Sequence, residues 1–413
     1  MPAAWSFTAM VTLVISQAHS EAARFCGNAL RARALLSLRE ATYRGPCVAG
    51  RWLMSTLVSR FVGLLSLALF AAPSQAQTPP PPAGAPVAIQ MVTQLSPSIP
   101  QYTRVDIPML REQIGARSGG RITTTLASWP ERNLTGPDLI RVLRAGQIDL
   151  AGMALPTVAG DVPLLDIIDM SGQNTSHEQG RKIAEAMLPI LNQELERFGV
   201  KIVAFYPFPA QVLFCRDPVT SLADLKGRRV RTPGGSQNDF IQSVGGQPVA
   251  IGFPEVYSAL ERGVVDCAVT GTATGNGARW YEVTRHLYTL PIQWGIAAYA
   301  VNLAWWNRLD APVRDFLQGY MKEVEEAQWK LGLELTEDGI QCNSGNAAGC
   351  KIGHVVTNRP MVVTRATPAD VALLREALTK VVLPAFVKRC GARCGEIYNR
   401  VVSPISGVSY VAQ

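Results

Sequence analysis

The side chains in this chain best suited to grip a ligand are three arginines, Arg228, Arg229 and Arg231, set in the stretch from Leu225 to Asp266. A guanidinium can hold both oxygens of a carboxylate through two parallel, charge-assisted hydrogen bonds, a chemistry of binding rather than of catalysis. Arg229 to Arg231 read as a short strand opened by Gly227 and stopped by Thr232-Pro233-Gly234-Gly235. Ser236 to Val244 then reads as a helix closed by Gly245-Gly246, Pro248 to Ile251 as a strand, Pro254 to Arg262 as a helix and Val264 to Asp266 as a strand. In open α/β sheets ligands sit beyond the carboxyl ends of strands, where Arg231 falls. Arg228 precedes the strand. Alternation sends Arg229 and Arg231 to the same side, so position along the strand, not parity, favours Arg231.

Other reactive residues are sparse. After the leader only His177, His286 and His354 remain, and none stands in a His-Glu-x-x-His or Gly-x-Ser-x-Gly setting, so no catalytic residues and no cofactor are expected. The Gly234-Gly235-Ser236 turn could receive an anion on its backbone amides, but it lacks the lysine and spacing of a phosphate loop. Cys342 and Cys350 bracket a small polar loop, and Cys390 and Cys394 bracket three residues, so each pair is expected to form a local disulfide in an oxidising compartment. Cys215 and Cys267 stand apart in strand-like surroundings. The spacings do not make a two-residue zinc knuckle and only His354 is near, so no metal is expected.

Residues 54–76 have the layout of a secretory signal peptide: Arg60, an apolar run from Phe61 to Ala72, and Ser74-Gln75-Ala76 as a small-x-small cleavage signal. Met54 would then start translation, and residues 1–53 read as an upstream artefact or extension. Removing everything before Gln77 takes seven arginines and two glutamates, and the formal net charge falls from +7 to about +2. The basic balance therefore gives no argument for nucleic acid. Residues 77–86 are a proline-rich tether.

The remainder alternates strand and helix signals and reads as α/β. Val87 to Leu95, Gly120 to Leu126, Asp149 to Met153 and Lys201 to Phe205 are strand-like. Asp106 to Ala116, Leu139 to Arg144, and His177 to Phe198 with an interruption at Pro189 are helical. Asp310 to Glu334 reads as one long helix opened by Pro312, and Pro368 to Lys388 as a later helix bent near Pro384. This order suggests two lobes of discontinuous sequence: 87–209 and 302–413 for the first and 210–301 for the second, with the long helix spanning both.

Ser118-Gly119-Gly120-Arg121-Ile122, Ala145-Gly146-Gln147-Ile148-Asp149, Asp224-Leu225-Lys226-Gly227, Arg229-Val230-Arg231, Phe253-Pro254-Glu255-Val256-Tyr257, Gly263-Val264-Val265-Asp266 and Trp280-Tyr281-Glu282-Val283 follow one another in an order that resembles the substrate-binding proteins of TRAP (tripartite ATP-independent periplasmic) transporters of the dicarboxylate-binding type. The resemblance implies a two-lobed, hinged periplasmic binding protein. It would close over a small organic acid and deliver it to the membrane subunits of an ion-gradient-driven permease. It also implies Arg231 as the carboxylate-binding residue. Gln211 stands where many relatives carry a second arginine, and Thr270 where they carry a ligand-touching asparagine. One strong electrostatic grip then remains, which favours a monocarboxylate with an apolar or aromatic body. Trp129, Phe208, Trp280 and Trp294 are candidate walls for that body, and Glu131 and Asn133 lie on a first-lobe loop where relatives contribute contacts. A periplasmic binding protein serving a membrane sensor kinase is the competing reading, and a periplasmic enzyme a weaker one.

Overall fold

The computed structural model describes residues 84–412. The expected upstream extension, the signal peptide and residues 77–83 of the tether lie outside the described residues. The described strands are β1 (Val87–Val92), β2 (Ile122–Ala127), β3 (Leu150–Ala154), β4 (Val200–Pro207), β5 (Gln211–Cys215), β6 (Arg229–Thr232), β7 (Gln247–Ala250), β8 (Cys267–Gly271), β9 (His286–Gln293), β10 (Ile296–Asn302) and β11 (Val362–Thr364). They form a five-stranded sheet of order β2-β1-β3-β10-β4 and a six-stranded sheet of order β11-β9-β5-β8-β6-β7. The fold is α/β with two lobes, one built on each sheet.

The chain passes between the sheets three times, by the long path from β10 to β11 and by two short crossings, from β4 to β5 through Phe208-Pro209-Ala210 and from β9 to β10 through Trp294-Gly295. The two short crossings are bonded to each other, the Phe208 amide donating to the Gly295 carbonyl at 2.8 Å. Gly295 has a positive φ, and a Cβ there would lie 2.8 Å from both Phe208 and the Gln211 amide. Only glycine fits this crossing without displacement.

Five helices matter for the site: α1 (Tyr102–Gln113), α2 (His177–Leu195), α3 (Ser236–Ser243), α4 (Thr272–Gly277) and α5 (Ala311–Asn343). At 33 residues, α5 runs about 50 Å at the usual rise. It touches both lobes through glycines. A Cβ on Gly332 would lie 2.4 Å from Pro207 of β4, and one on Gly339 would lie 2.3 Å from the Ala273 nitrogen of α4. The sequence expectation stopped this helix at Glu334, but it continues to Asn343. In the added turns Gly339 lets α4 lie directly on the helix, and Asn343 Nδ2 closes the contact on the Thr272 carbonyl at 3.1 Å.

Several further expectations need correction. Helix α2 is not interrupted at Pro189: it is continuous, with Ile183, Met187, Leu191 and Leu195 buried on one face. Pro189 and Glu185, whose carbonyl loses its partner, both face solvent, where water can replace the missing amide. The expected strand at Val264 to Asp266 begins instead at Cys267, Val264 being 47% exposed and apolar only in type. The first helix starts earlier than expected and is wound wide around the internal Pro108. The later helix also widens, over Leu378–Val382, directly ahead of Pro384. A proline ring crowds the carbonyl four residues back, and a wider turn relieves it.

Cys342–Cys350 and Cys390–Cys394 are joined as expected. The sulfurs of Cys215 and Cys267, which the sequence left apart, are also joined. The antiparallel pairing of β5 with β8 sets Cys215 directly opposite Cys267 across 52 residues of sequence. β11, from the segment assigned to the first lobe, pairs in parallel with β9 of the second sheet.

Candidate functional site

The short strand β6 separates its two arginines by depth. Arg229 lies at the exposed start, where Asp266 takes both its guanidinium, at 2.6 Å, and its backbone amide, at 2.8 Å. Two residues further on, Arg231 is 2% exposed. Its Nε donates to the Ile251 carbonyl and its Nη1 to the Val269 carbonyl, each at 2.9 Å. Its guanidinium carbon lies 5.9 Å from the centre of the Phe253 ring. Among the described residues no carboxylate pairs with it, and burial alone pushes it down to about 9. It is still a cation at neutral pH. A buried charge without a counter-charge is costly unless something paired arrives.

Past Arg231 the chain turns through Gly234 and Gly235, both at positive φ, into α3. The anion position that the sequence offers at Gly234-Gly235-Ser236 is filled from within. Asp166 Oδ2 accepts the Ser236 amide at 2.7 Å, and a Cβ on Gly235 would lie 2.6 Å from the same carboxylate. Burial raises Asp166 to about 7, against the opposing pull of Arg389.

Arg231 opens into a cleft lined from both lobes. The first lobe supplies Leu95, Trp129, Ala154, Pro156, Thr157 and Ile296 to its lining. The second supplies Gln211, Arg231, Gln237, Phe253, Thr270, Thr274 and Gln293, with Phe208 and Gly295 at the crossings. Of the side chains singled out from sequence, Arg231, Gln211, Thr270, Trp129 and Phe208 therefore meet in one cavity. Trp129 is fixed by its Nε1, which donates to the Gly152 carbonyl at 3.0 Å, and Gln211 by its Nε2 on the Pro209 carbonyl at 2.8 Å.

The other four lie elsewhere. Trp280 stacks behind Phe253 at 5.3 Å between ring centres, one layer back from the cavity. Trp294 donates to the Asn174 carbonyl at 2.9 Å and faces a separate apolar pocket with Leu374 and Arg375. Glu131 accepts from the Ser128 amide and hydroxyl at 2.6 and 2.7 Å, bonds that hold its carboxyl below the usual range. Asn133 is an exposed left-handed residue that ends the same turn. Phe253, Gln237, Thr274 and Gln293 were not singled out. Phe253 was visible as part of a motif, whereas Gln237 and Gln293 come together only once α3 and the end of β9 are packed.

A charged, solvent-shielded grip between two α/β lobes defines a solute receptor. Residues 91–386 match the family DctP, bacterial extracellular solute-binding protein, family 7. This chain belongs to that family, one of substrate-binding receptors rather than enzymes, and its place is extracytoplasmic. It is 25% identical over 245 residues to a solute-binding protein of Sulfitobacter sp., covering 58% of this chain and 73% of that protein. It is 26% identical to the C4-dicarboxylate-binding periplasmic protein of Rhodobacter capsulatus over 48% of this chain and 62% of the relative. Its fold is similar to that of an extracytoplasmic solute receptor of Bordetella pertussis binding pyroglutamic acid, with a TM-score of 0.66, 20% identity, and coverage of 78% of this chain and 100% of the other. Among the described residues no helix is long and apolar enough to cross a membrane.

Proposed function

We propose that this protein captures a small monocarboxylate with an apolar or aromatic body by closing its two lobes, and delivers it to the membrane subunits of a TRAP permease. The observation carrying this reading is Arg231, buried in the cleft with no acidic partner among the described residues. It is the one basic side chain lining the cavity, so one carboxylate balances the charge there. A ligand carboxylate received in a fork would repay the cost of burying the cation. Gln211 and Thr270 then act as neutral contacts, and Trp129, Phe208 and Phe253 cover the body, with Trp280 bracing Phe253 from behind. The Bordetella receptor's pyroglutamic acid, a cyclic monocarboxylate, is in keeping with this class; the C4-dicarboxylate of the Rhodobacter protein is the alternative it must be separated from.

The lobes hinge at Phe208-Pro209-Ala210 and Trp294-Gly295, with α5 as the shared support. A thermal-shift screen of mono- and dicarboxylates, followed by small-angle scattering with the best stabiliser, tests both parts. Stabilisation by monocarboxylates with compaction at saturation is expected. Preference for a compact diacid would remove the apolar body from the reading, and an unchanged scattering profile at saturation would remove the hinge.

A further inference from the structure

Two polar atoms in the cleft are buried and have no hydrogen-bond partner: Gln237 Oε1 and Thr274 Oγ1, in side chains that are each 1% exposed and line the cavity. The orientation of the Gln237 amide is set by a relay behind it. The Ser236 hydroxyl oxygen accepts from the Ser171 amide at 3.2 Å and from Gln293 Nε2 at 2.9 Å, and its proton faces Asp166 Oδ1 at 3.5 Å. That turns Gln293 Oε1 towards Gln237, whose Nε2 donates to it. The remaining face of Gln237 is a bare acceptor, on the same lobe as Arg231 and six residues after it in sequence. A buried acceptor left bare is costly, and a ligand that supplies its donor recovers that cost.

We propose that the ligand carries, besides its carboxylate, an N–H or O–H donor received by Gln237 Oε1, with Thr274 Oγ1 as a further polar contact. The substrate class is then a small cyclic or aromatic acid with a ring N–H or a hydroxyl, and not a purely hydrocarbon acid. This inference rests on the reading that Arg231 holds the carboxylate. A site built to hydrogen-bond one ligand group rejects the analogue lacking it more strongly than a missing methylene would be rejected.

The test uses matched pairs that differ only in the donor: pyroglutamate against N-methylpyroglutamate, and 4-hydroxybenzoate against 4-methoxybenzoate, with cyclopentanecarboxylate as a donor-free acid and the primary amides of the two parent acids. Calorimetry on the wild-type protein should show at least one donor-bearing acid binding at least about tenfold more tightly than its capped partner. Gln237→Met, with its fold checked by thermal melting, should erase that difference while retaining the preference for acid over amide. Equal or tighter binding of the capped or hydrocarbon acids would overturn the donor requirement and leave the carboxylate reading intact. A difference that persists in Gln237→Met would overturn the assignment to Gln237. Amides binding as well as acids would instead defeat the reading of Arg231, and failure of every acid to bind would overturn the proposed class.

Discussion

The two walls of the cleft differ in material. The first lobe offers Leu95, Trp129, Ala154, Pro156 and Ile296, with Thr157 as its polar member, while the second offers Arg231, Gln211, Gln237, Thr270, Thr274 and Gln293 beside the ring of Phe253. The difference teaches how the work is divided. The apolar wall is an extension of the first lobe's core, so its residues hold the fold and shape the cavity. The polar wall carries Arg231, which has no carboxylate partner among the described residues, and Gln237 and Thr274, which each keep a buried oxygen without a hydrogen-bond partner; on the proposed reading these residues serve the ligand more than the fold.

Breaking the apolar wall should therefore cost stability. Trp129→Ala removes a side chain that is 1% exposed and bonded to Gly152, and should destabilise the protein by about 3–5 kcal/mol in denaturant unfolding. Breaking the polar wall should cost affinity. Arg231→Ala should weaken acid binding by about 2–5 kcal/mol, roughly 30-fold to several-thousand-fold by calorimetry, with a much smaller change in the melting temperature of the ligand-free protein. If the effects of these two substitutions were exchanged, the division of labour would fail.

The framework behind the polar wall can be probed separately. Replacing Cys215 and Cys267 together by alanine unties β5 from β8, the strand that carries Thr270, and should cost about 2–4 kcal/mol in unfolding measurements made under oxidising conditions. A smaller effect is expected where the walls meet, at Asp166. Its folded-state value, raised to about 7, lies above the ordinary 3.8, so the folded protein binds more protons in this window than the unfolded chain. The resulting stabilisation is fully present below about pH 4 and is lost as pH rises through about 7. Asp166→Asn should flatten part of that stability profile, leaving the slope due to the other carboxylates that burial raises: Asp106, to about 6, and Asp149, Asp169, Asp239 and Glu325. An unchanged profile would remove Asp166 from this role.

How much of this could be read from the sequence depends on whether the signal was local. The strand-end placement of Arg231 was legible because it is a local property, and the structure adds a difference that parity could not show: Asp266 pairs with Arg229, whereas no carboxylate among the described residues pairs with Arg231. Alternating strand and helix signals gave the α/β class and the long helix, but not its last turns, where Gly339 serves contact with α4. The Cys215–Cys267 bond depends on strand register, which neither cysteine's neighbourhood encodes. Trp280 and Trp294 were aromatic enough to suit a cleft wall, yet their direction is fixed by packing on Phe253 and by the Asn174 carbonyl. The polar wall beyond Arg231 was the hardest to see, since Gln237 and Gln293 are 56 residues apart and meet only through the packed lobe.

The most direct test of the central claim is calorimetry of one bound monocarboxylate and its primary amide against the wild-type protein and Arg231→Lys. The account predicts that the acid binds the wild type far more tightly than the amide, and that lysine, which keeps the charge but loses the planar fork, weakens the acid without restoring the amide. Equal affinity for acid and amide in the wild type, with Arg231→Lys leaving both unchanged, would contradict it.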